Sequence, residues 1–126
     1  AIAVALAGAA NVMAADIDPV AAEAMHLNRS LNNVDFEIVT TDLIGTNGDW
    51  DLLLVGDVCY EKEIADRLLP WLRDQTARGV DVLIGDPGRF ILRDIGLETI
   101  ATYQAETTSI LEDSDLRNAR VWRFEC

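Results

Sequence analysis

The chain has 126 residues, of which half are hydrophobic, and its 22 acidic and 10 basic residues give a formal charge of −12 at pH 7. This length allows at most one domain with a sizeable core. The excess of acid argues against nucleic acid as a partner, because contacts to phosphate groups need Lys and Arg. It is compatible with an ordinary soluble surface, or with attraction to a basic protein or a lysine-bearing substrate.

The composition also gives no sign of a metal centre, a histidine-based triad or a membrane span. Cys59 and Cys126 are far apart and lie in no Cys/His cluster, so the zinc signature is missing. A reducing compartment is the default for such a chain, and we therefore expect a cytoplasmic protein. His26 is the only histidine. No apolar run reaches the 18 or so residues that would suggest a membrane helix.

The first eight residues are typical of the end of a helix. The apolar run of residues 1–7 is followed by Gly8, a residue that commonly terminates helices. A helix that begins at residue 1 without a capping residue is expected to be the end of a longer helix. We therefore expect that the sequence is the remainder of a longer domain.

The next stretch, Val12 to Asn33, predicts a strand, an acidic turn and an amphipathic helix. Residues 12–15 are apolar. Asp18 followed by Pro19 is the cap-then-proline start that many helices use. Four apolar residues then follow at a spacing that marks one helical face: Val20, Ala24, Leu27 and Leu31.

Two further strands are predicted before the middle of the chain. The first covers residues 36–39 and is followed by turn chemistry at residues 45–49. The second covers residues 52–55. Its continuous apolar run is typical of a parallel strand that is covered on both faces.

The second half begins with a helix predicted from about residue 61 to residue 78. On or near one face of this helix lie Ile64, Leu68, Trp71, Leu72 and Gln75. Pro70 is expected to kink or restart this helix, and Gly79 to end it.

Residues 80–84 predict another buried strand, and residues 90–95 a short helix. The pattern then changes to alternation in residues 99–109 and again in residues 119–125. A polar turn at residues 111–118 separates them, so a terminal antiparallel pair is expected.

Four predicted strands are each followed by an aspartate, in chain order Asp16, Asp42, Asp57 and Asp86. Because the carboxyl ends of parallel strands share one edge of a sheet, we expect all four on that edge. A carboxylate there can accept hydrogen bonds from the 2′- and 3′-hydroxyls of a ribose, and Asp16 is assigned this role. Any ribose-bearing cofactor fits at this point, including the nicotinamide dinucleotide of an oxidoreductase.

The motifs around these aspartates resemble those of the seven-strand S-adenosylmethionine-dependent methyltransferases. The similarity is greatest to the lysine methyltransferases that carry Asp-x-x-Tyr after the fourth strand, and within them to the electron transfer flavoprotein β-subunit lysine methyltransferase-like proteins. The motifs are Ala15-Asp16-Ile17-Asp18-Pro19, Thr41-Asp42-Leu43, Gly56-Asp57-Val58-Cys59-Tyr60 and Gly85-Asp86-Pro87-Gly88-Arg89. The resemblance covers nearly the whole chain. It implies an α/β, Rossmann-like sheet with strand order 3-2-1-4-5-7-6, ending in the antiparallel pair.

The resemblance also implies that these motifs bind S-adenosylmethionine. Asp16 with Ile17 would hold the ribose of this cofactor. Asp42 with Leu43 would lie by the adenine amino group. Asp57 would lie near the methionine end and the incoming amine.

The remaining motif residues would serve the acceptor. Tyr60 would line the lysine channel and form the catalytic pair with Asp57, while Asp86 and Arg89 would border the substrate. The implied reaction is methylation of a protein lysine, with the electron transfer flavoprotein β-subunit as the candidate acceptor. In a eukaryote the implied compartment is the mitochondrial matrix.

One departure from the family pattern is serious: its glycine-rich first loop and its central strand 1 are absent from these residues. Loss of a central strand leaves about eight backbone groups unpaired, a cost of ~8–24 kcal/mol against a total domain stability of ~5–15 kcal/mol. We therefore expect that these residues alone do not form a stable, active enzyme.

Other functions stay open at this point. One alternative is a non-catalytic binding module, which the missing loop favours. Another is a nicotinamide-dinucleotide oxidoreductase domain, against which the Asp-x-x-Tyr motif and the terminal antiparallel pair stand. A third keeps the methyltransferase but changes the acceptor to a small amine or a different protein.

Overall fold

The structure is a computed structural model that describes residues 1–58, 61–87, 96–106 and 116–125. These residues form, in chain order, α1 (Ile2–Leu6), β1 (Met13–Ala15), α2 (Pro19–Leu31), β2 (Glu37–Val39), β3 (Leu52–Gly56), α3 (Lys62–Ala77), β4 (Asp81–Asp86), β5 (Leu97–Glu106) and β6 (Leu116–Phe124). The fold divides into two compact units, Ala1–Leu43 and Ile44–Cys126. The expectation of a single domain stays a prediction.

The first unit is a parallel strand pair with helices before and between the strands. Gly8, at φ +92°, follows the end of α1, as predicted. The Asp18 carboxylate accepts a hydrogen bond of 2.8 Å from the Val20 amide, and Pro19 is the first residue of α2. The predicted cap and proline start are thereby confirmed. β1 and β2 pair in parallel, with Ala15 opposite Val39.

The apolar face predicted for α2 points away from its own unit. Val20, Leu27 and Leu31 are 73%, 67% and 83% exposed. The helix packs through its other side, where Ala22 is buried and Arg29 donates a 2.8 Å hydrogen bond to the Phe36 carbonyl. The side of α2 that packs within this unit is therefore opposite to its apolar stripe.

The second unit is a four-stranded sheet in the order β3-β4-β6-β5. β3 and β4 are parallel, whereas β6 runs antiparallel to both β4 and β5. The predicted terminal pair is confirmed, although β6 begins at Leu116, inside the stretch expected to be a turn. The two sheets reproduce the segments 3-2 and 4-5-7-6 of the strand order that the resemblance implies.

Helix α3 covers one face of this sheet. The buried core consists of apolar residues from α3, β4 and β6: Ala65, Leu68, Leu72, Val82, Ile84 and Phe124. Leu53 and Val55 of β3 pack against it, but Leu52 and Leu54 are exposed. The prediction that β3 is covered on both faces is therefore wrong in the described part of the chain, because β3 is an edge strand and α3 packs on one side only.

Helix α3 runs without interruption through Pro70. Of the two predicted effects, a restart at this residue is excluded, and the kink stays a prediction. Proline cannot donate the hydrogen bond that the Asp66 carbonyl would accept, but both residues are exposed, so water can supply it. Gly79, at φ +94°, follows the end of the helix, as predicted. The short helix predicted for residues 90–95 lies outside the described residues.

Among the described helices, none has the length and apolar character required to cross a membrane.

The loop that precedes β3 is tied to α3 by a set of side-chain contacts that we call the Gln75 clamp. Trp50 Nε1 donates to Gln75 Oε1 at 3.0 Å, and Gln75 Nε2 donates to Asn47 Oδ1 at 3.0 Å. Trp71 Nε1 donates to the Thr46 carbonyl at 2.8 Å. The two indole rings meet edge to face, with their centroids 6.3 Å apart.

Substitution of Gly48 by Ala should destabilise the protein through this clamp. A Cβ at Gly48 would collide with the Trp50 ring, and the clamp prevents that ring from moving aside. We expect a loss of ~1–3 kcal/mol in the free energy of unfolding, measured by urea denaturation. Gly56→Ala is the control, since a Cβ there meets no atom within 4 Å. Equal midpoints for the two variants would contradict the expected crowding.

Candidate functional site

The carboxyl ends of β3 and β4 bring Asp57 and Asp86 to neighbouring positions. Gly56 pairs with Gly85 in the last rung of the parallel ladder. The Asp57 amide, one residue further, donates a 2.9 Å hydrogen bond to the Gly85 carbonyl. Asp86 is the last residue of β4. It is 3% exposed, whereas Asp57 is exposed. One reachable carboxylate and one buried carboxylate therefore share this edge of the sheet.

Asp57 has an unusual backbone conformation. Its φ of +44° lies in the left-handed region, where Asp and Asn are enriched among non-glycine residues. Left-handed backbone costs ~1–2 kcal/mol per L-residue, and such residues concentrate at functional sites. Gly56, on its amino-terminal side, leaves open space around the strand end. The conformation therefore makes Asp57 the first candidate for a functional residue.

Strand β6 places Arg120 beside Asp86, which the sequence did not predict. The two residues are direct partners in the β4–β6 ladder, so their side chains leave the sheet on the same face. The Arg120 guanidinium lies 5.7 Å from the centroid of the Trp122 ring. Trp122 Nε1 is buried and has no hydrogen-bond partner among the residues that the structure describes. Only the register of the antiparallel ladder reveals this neighbourhood, and register could not be read from residues 119–125 alone.

Asp16 occupies the corresponding strand tip in the first unit. Its amide donates to the Val39 carbonyl at 3.1 Å, which fixes it directly beyond β1. One carboxylate oxygen, Oδ1, accepts a 3.0 Å hydrogen bond from the Asp18 amide. A carboxylate has about four acceptor sites, so this turn leaves acceptor capacity for hydroxyl groups. Both Asp16 and Ile17 are exposed.

The other predicted cofactor residues lie beyond the end of β2. Asp42, three residues after Val39, is exposed, and Leu43 is half-buried. The predicted aspartates thus occur as one pair in each unit, following two different parallel ladders. The arrangement of all four on one edge stays a prediction.

Two predicted residues, Tyr60 and Arg89, lie outside the described residues, so their roles stay predictions. No group of three or more His, Cys, Asp or Glu side chains that could hold a metal ion occurs within the described ranges.

Asp57 yields a stability prediction that tests its backbone strain. Asp57→Gly and Asp57→Ala both remove the carboxylate, but only Ala keeps a Cβ at φ +44°. We expect the Gly variant to be more stable than the Ala variant by about 1 kcal/mol, and Asp57→Asn to resemble the wild type. Thermal and urea unfolding of the three variants measure this order. An Ala variant as stable as the Gly variant would rule the strain out.

Comparison with known proteins identifies relatives along the chain. Residues 1–56 match the family described as ribosomal protein L11 methyltransferase. Proteins named electron transfer flavoprotein β-subunit lysine methyltransferase are 42% identical in Danio rerio, 43% in Xenopus laevis and 38% in Homo sapiens. The matches cover 100%, 99% and 99% of this chain, and 52%, 54% and 50% of the relatives. The chain therefore spans about half the length of the curated relatives it matches.

Solved structures share the fold. A magnesium protoporphyrin IX methyltransferase from Synechocystis PCC 6803, solved with bound S-adenosylmethionine, superposes with a TM-score of 0.63 at 22% identity, over 98% of this chain and 64% of that one. A precorrin 8w decarboxylase from Methanobacterium thermoautotrophicum gives 0.55 at 15% identity, over 91% of this chain and 70% of that one. These likenesses show the Rossmann-like α/β architecture that the motifs implied.

Identity of this extent along the chain, together with the two sheet orders, confirms the resemblance drawn from the four aspartate motifs. Along its whole length the chain is therefore similar to about half of the electron transfer flavoprotein β-subunit lysine methyltransferases, and it shares the Rossmann-like fold of a structure solved with bound S-adenosylmethionine.

Proposed function

We propose that this protein is an S-adenosylmethionine-dependent N-methyltransferase that modifies a lysine of another protein. The observation that carries the proposal is Asp57, an exposed carboxylate in a left-handed conformation, fixed by its backbone to β4 beside the buried Asp86. The names of the relatives support the electron transfer flavoprotein β-subunit as the acceptor.

The residues present fit the proposed cofactor. The exposed Asp16 carboxylate, with one oxygen engaged in its own turn, retains acceptors for the two ribose hydroxyls. Asp42 and Leu43 would contact the adenine, and Asp57 would face the methionine end. When bound, S-adenosylmethionine supplies a methyl group activated by a positively charged sulfonium. Acidic side chains at the strand ends suit that charge and the charge of a lysine.

The protein's own contribution is to hold and orient the acceptor amine. A lysine has a pKa of about 10.4, so presenting its neutral form at pH 7.5 costs about 4 kcal/mol. Asp57 can accept a hydrogen bond from the amine and thereby direct the nitrogen lone pair. Its negative charge also favours the ammonium form, so its role is to bind and orient the amine rather than to act as a strong base.

Three more residues are assigned to the acceptor by their places in the motifs. Tyr60, three residues after Asp57, would line the lysine channel, where an aromatic face attracts an ammonium group. Asp86 and Arg89 would border the substrate protein. The formal charge of −12 supports an acceptor surface rich in lysine. We place the protein in a reducing compartment, the cytoplasm or, in a eukaryote, the mitochondrial matrix.

Asp57→Asn tests the proposed reaction. Asn tolerates the left-handed backbone and keeps one side-chain acceptor but loses the charge. We expect methyl transfer to the acceptor protein, followed by mass spectrometry of the intact acceptor, to fall by ~100-fold or more. The affinity for S-adenosylmethionine should fall far less, by about tenfold or less, because Asp57 meets only the methionine end of the cofactor while Asp16 holds the ribose.

The control is Asp51→Asn, an exposed aspartate immediately before β3, which should turn over like the wild type. Turnover of Asp57→Asn at the wild-type rate would contradict the role of Asp57. A wild-type protein that binds the cofactor but methylates no lysine would point to a different acceptor.

A further inference from the structure

Gln75 is a fully buried amide on a helix face that is otherwise apolar. It lies one turn beyond Leu72 on the side of α3 that faces the core. A buried amide is costly unless its donor and acceptor are both paired, so an apolar side chain would be the simpler choice at this position. Both bonds of Gln75, to Trp50 and to Asn47, go to the loop before β3. The Gln75 amide therefore holds that loop against α3.

The same loop is held at other points. Trp71 donates to the Thr46 carbonyl, and Ile44 packs against the core that α3 covers. The Trp50 ring lies so close to Gly48 that a side chain at that position would collide with it. The segment from Ile44 to Trp50 is therefore fixed to α3 by directional bonds as well as by packing.

This fixed segment begins directly after the residues assigned to adenine. Leu43 directly precedes Ile44 in the chain, and the first clamp contact, at Thr46, comes three residues after Leu43. We propose that Gln75 is a positioning residue for cofactor recognition: through the clamp it fixes the backbone that follows Asp42 and Leu43, and thereby the geometry with which they read the adenine amino group. This inference rests on the proposed function, because that function assigns adenine to these two residues.

The physical reason is the difference between a polar and an apolar anchor. An apolar side chain at position 75 would fill the same space but would allow several placements of the loop. A satisfied hydrogen-bond network in a low-dielectric interior specifies one placement, since any other leaves buried groups unpaired. Gln75 donates with one end and accepts with the other, which fixes both Trp50 and Asn47.

The experiment compares two product analogues in the natural protein. S-adenosylhomocysteine carries the adenine amino group, and S-inosylhomocysteine carries an oxygen in its place. Wild-type protein should prefer the adenosyl ligand, measured by calorimetric titration. In Gln75→Leu, we expect the adenosyl ligand to bind about tenfold more weakly, with the inosyl ligand unchanged, so that the preference disappears.

Two further variants separate positioning from simple destabilisation. Leu68→Val creates a defect in the same core without touching the clamp, and it should keep the wild-type preference. Trp50→Phe removes the indole donor but keeps a ring, and it should weaken the preference even where Gln75→Leu fails to fold. Trp50→Phe combined with Gln75→Leu should lose no more preference than Gln75→Leu alone, because both act through one contact.

The outcomes distinguish this inference from the proposed function. If wild-type protein binds both ligands with a preference and the clamp variants keep that preference, the inference is overturned while the proposed function stands. Equal weakening of both ligands means that Gln75 only stabilises the fold, which also overturns it. If the wild type binds both ligands equally, the protein does not recognise the amino group, and the inference is overturned. If the wild type binds neither ligand, the proposed function fails, and the inference fails with it.

Discussion

Two parallel strands cannot be joined by a tight turn, and this constraint arranges both halves of the chain. The return path has to cross over the sheet, usually as a helix, which brings the carboxyl ends of both strands to the same edge. Helix α2 makes this crossing between β1 and β2, and α3 makes it between β3 and β4. The crossover thereby brings Asp16 in one ladder, and Asp57 and Asp86 in the other, to the carboxyl ends of their strands.

The crossover does not determine the conformation of the loops. Other interactions fix them. Asp57 is held in a left-handed conformation by its bond to Gly85, in a strand end that glycine keeps open. The loop before β3 is held by a buried amide. The left-handed conformation of Asp57 costs stability locally, and the packing of α3 over β4 and β6 offsets that cost. Methyl transfer depends mostly on how the acceptor amine and the methyl group are positioned, so loops with a fixed conformation suit the proposed chemistry.

The sequence predicted the order of elements, the start of α2 and the antiparallel pair, because caps, proline and alternation are local signals. It failed where burial depends on partners. The spacing of Leu27 and Leu31 predicts an apolar face on α2 but not which face packs, and the helix packs through Ala22 and Arg29. The neighbourhood of Asp86 and Arg120 depends on strand register, which no local pattern encodes. The motif aspartates were predicted because the residues around them resemble those of a known family. The positive φ of Asp57 and the burial of Asp86 can be seen only in the structure.

The central claim is that an aspartate at a parallel strand tip holds the ribose of S-adenosylmethionine, and a matched pair of variants tests it most directly. Calorimetric titration of this cofactor into the natural protein, Asp16→Ala and Asp18→Ala compares two acids of the same turn. Asp16→Ala should bind ~10-fold more weakly or worse, whereas Asp18→Ala should keep its affinity and lose about 1 kcal/mol of stability with its helix cap. Undiminished binding by Asp16→Ala would contradict the account.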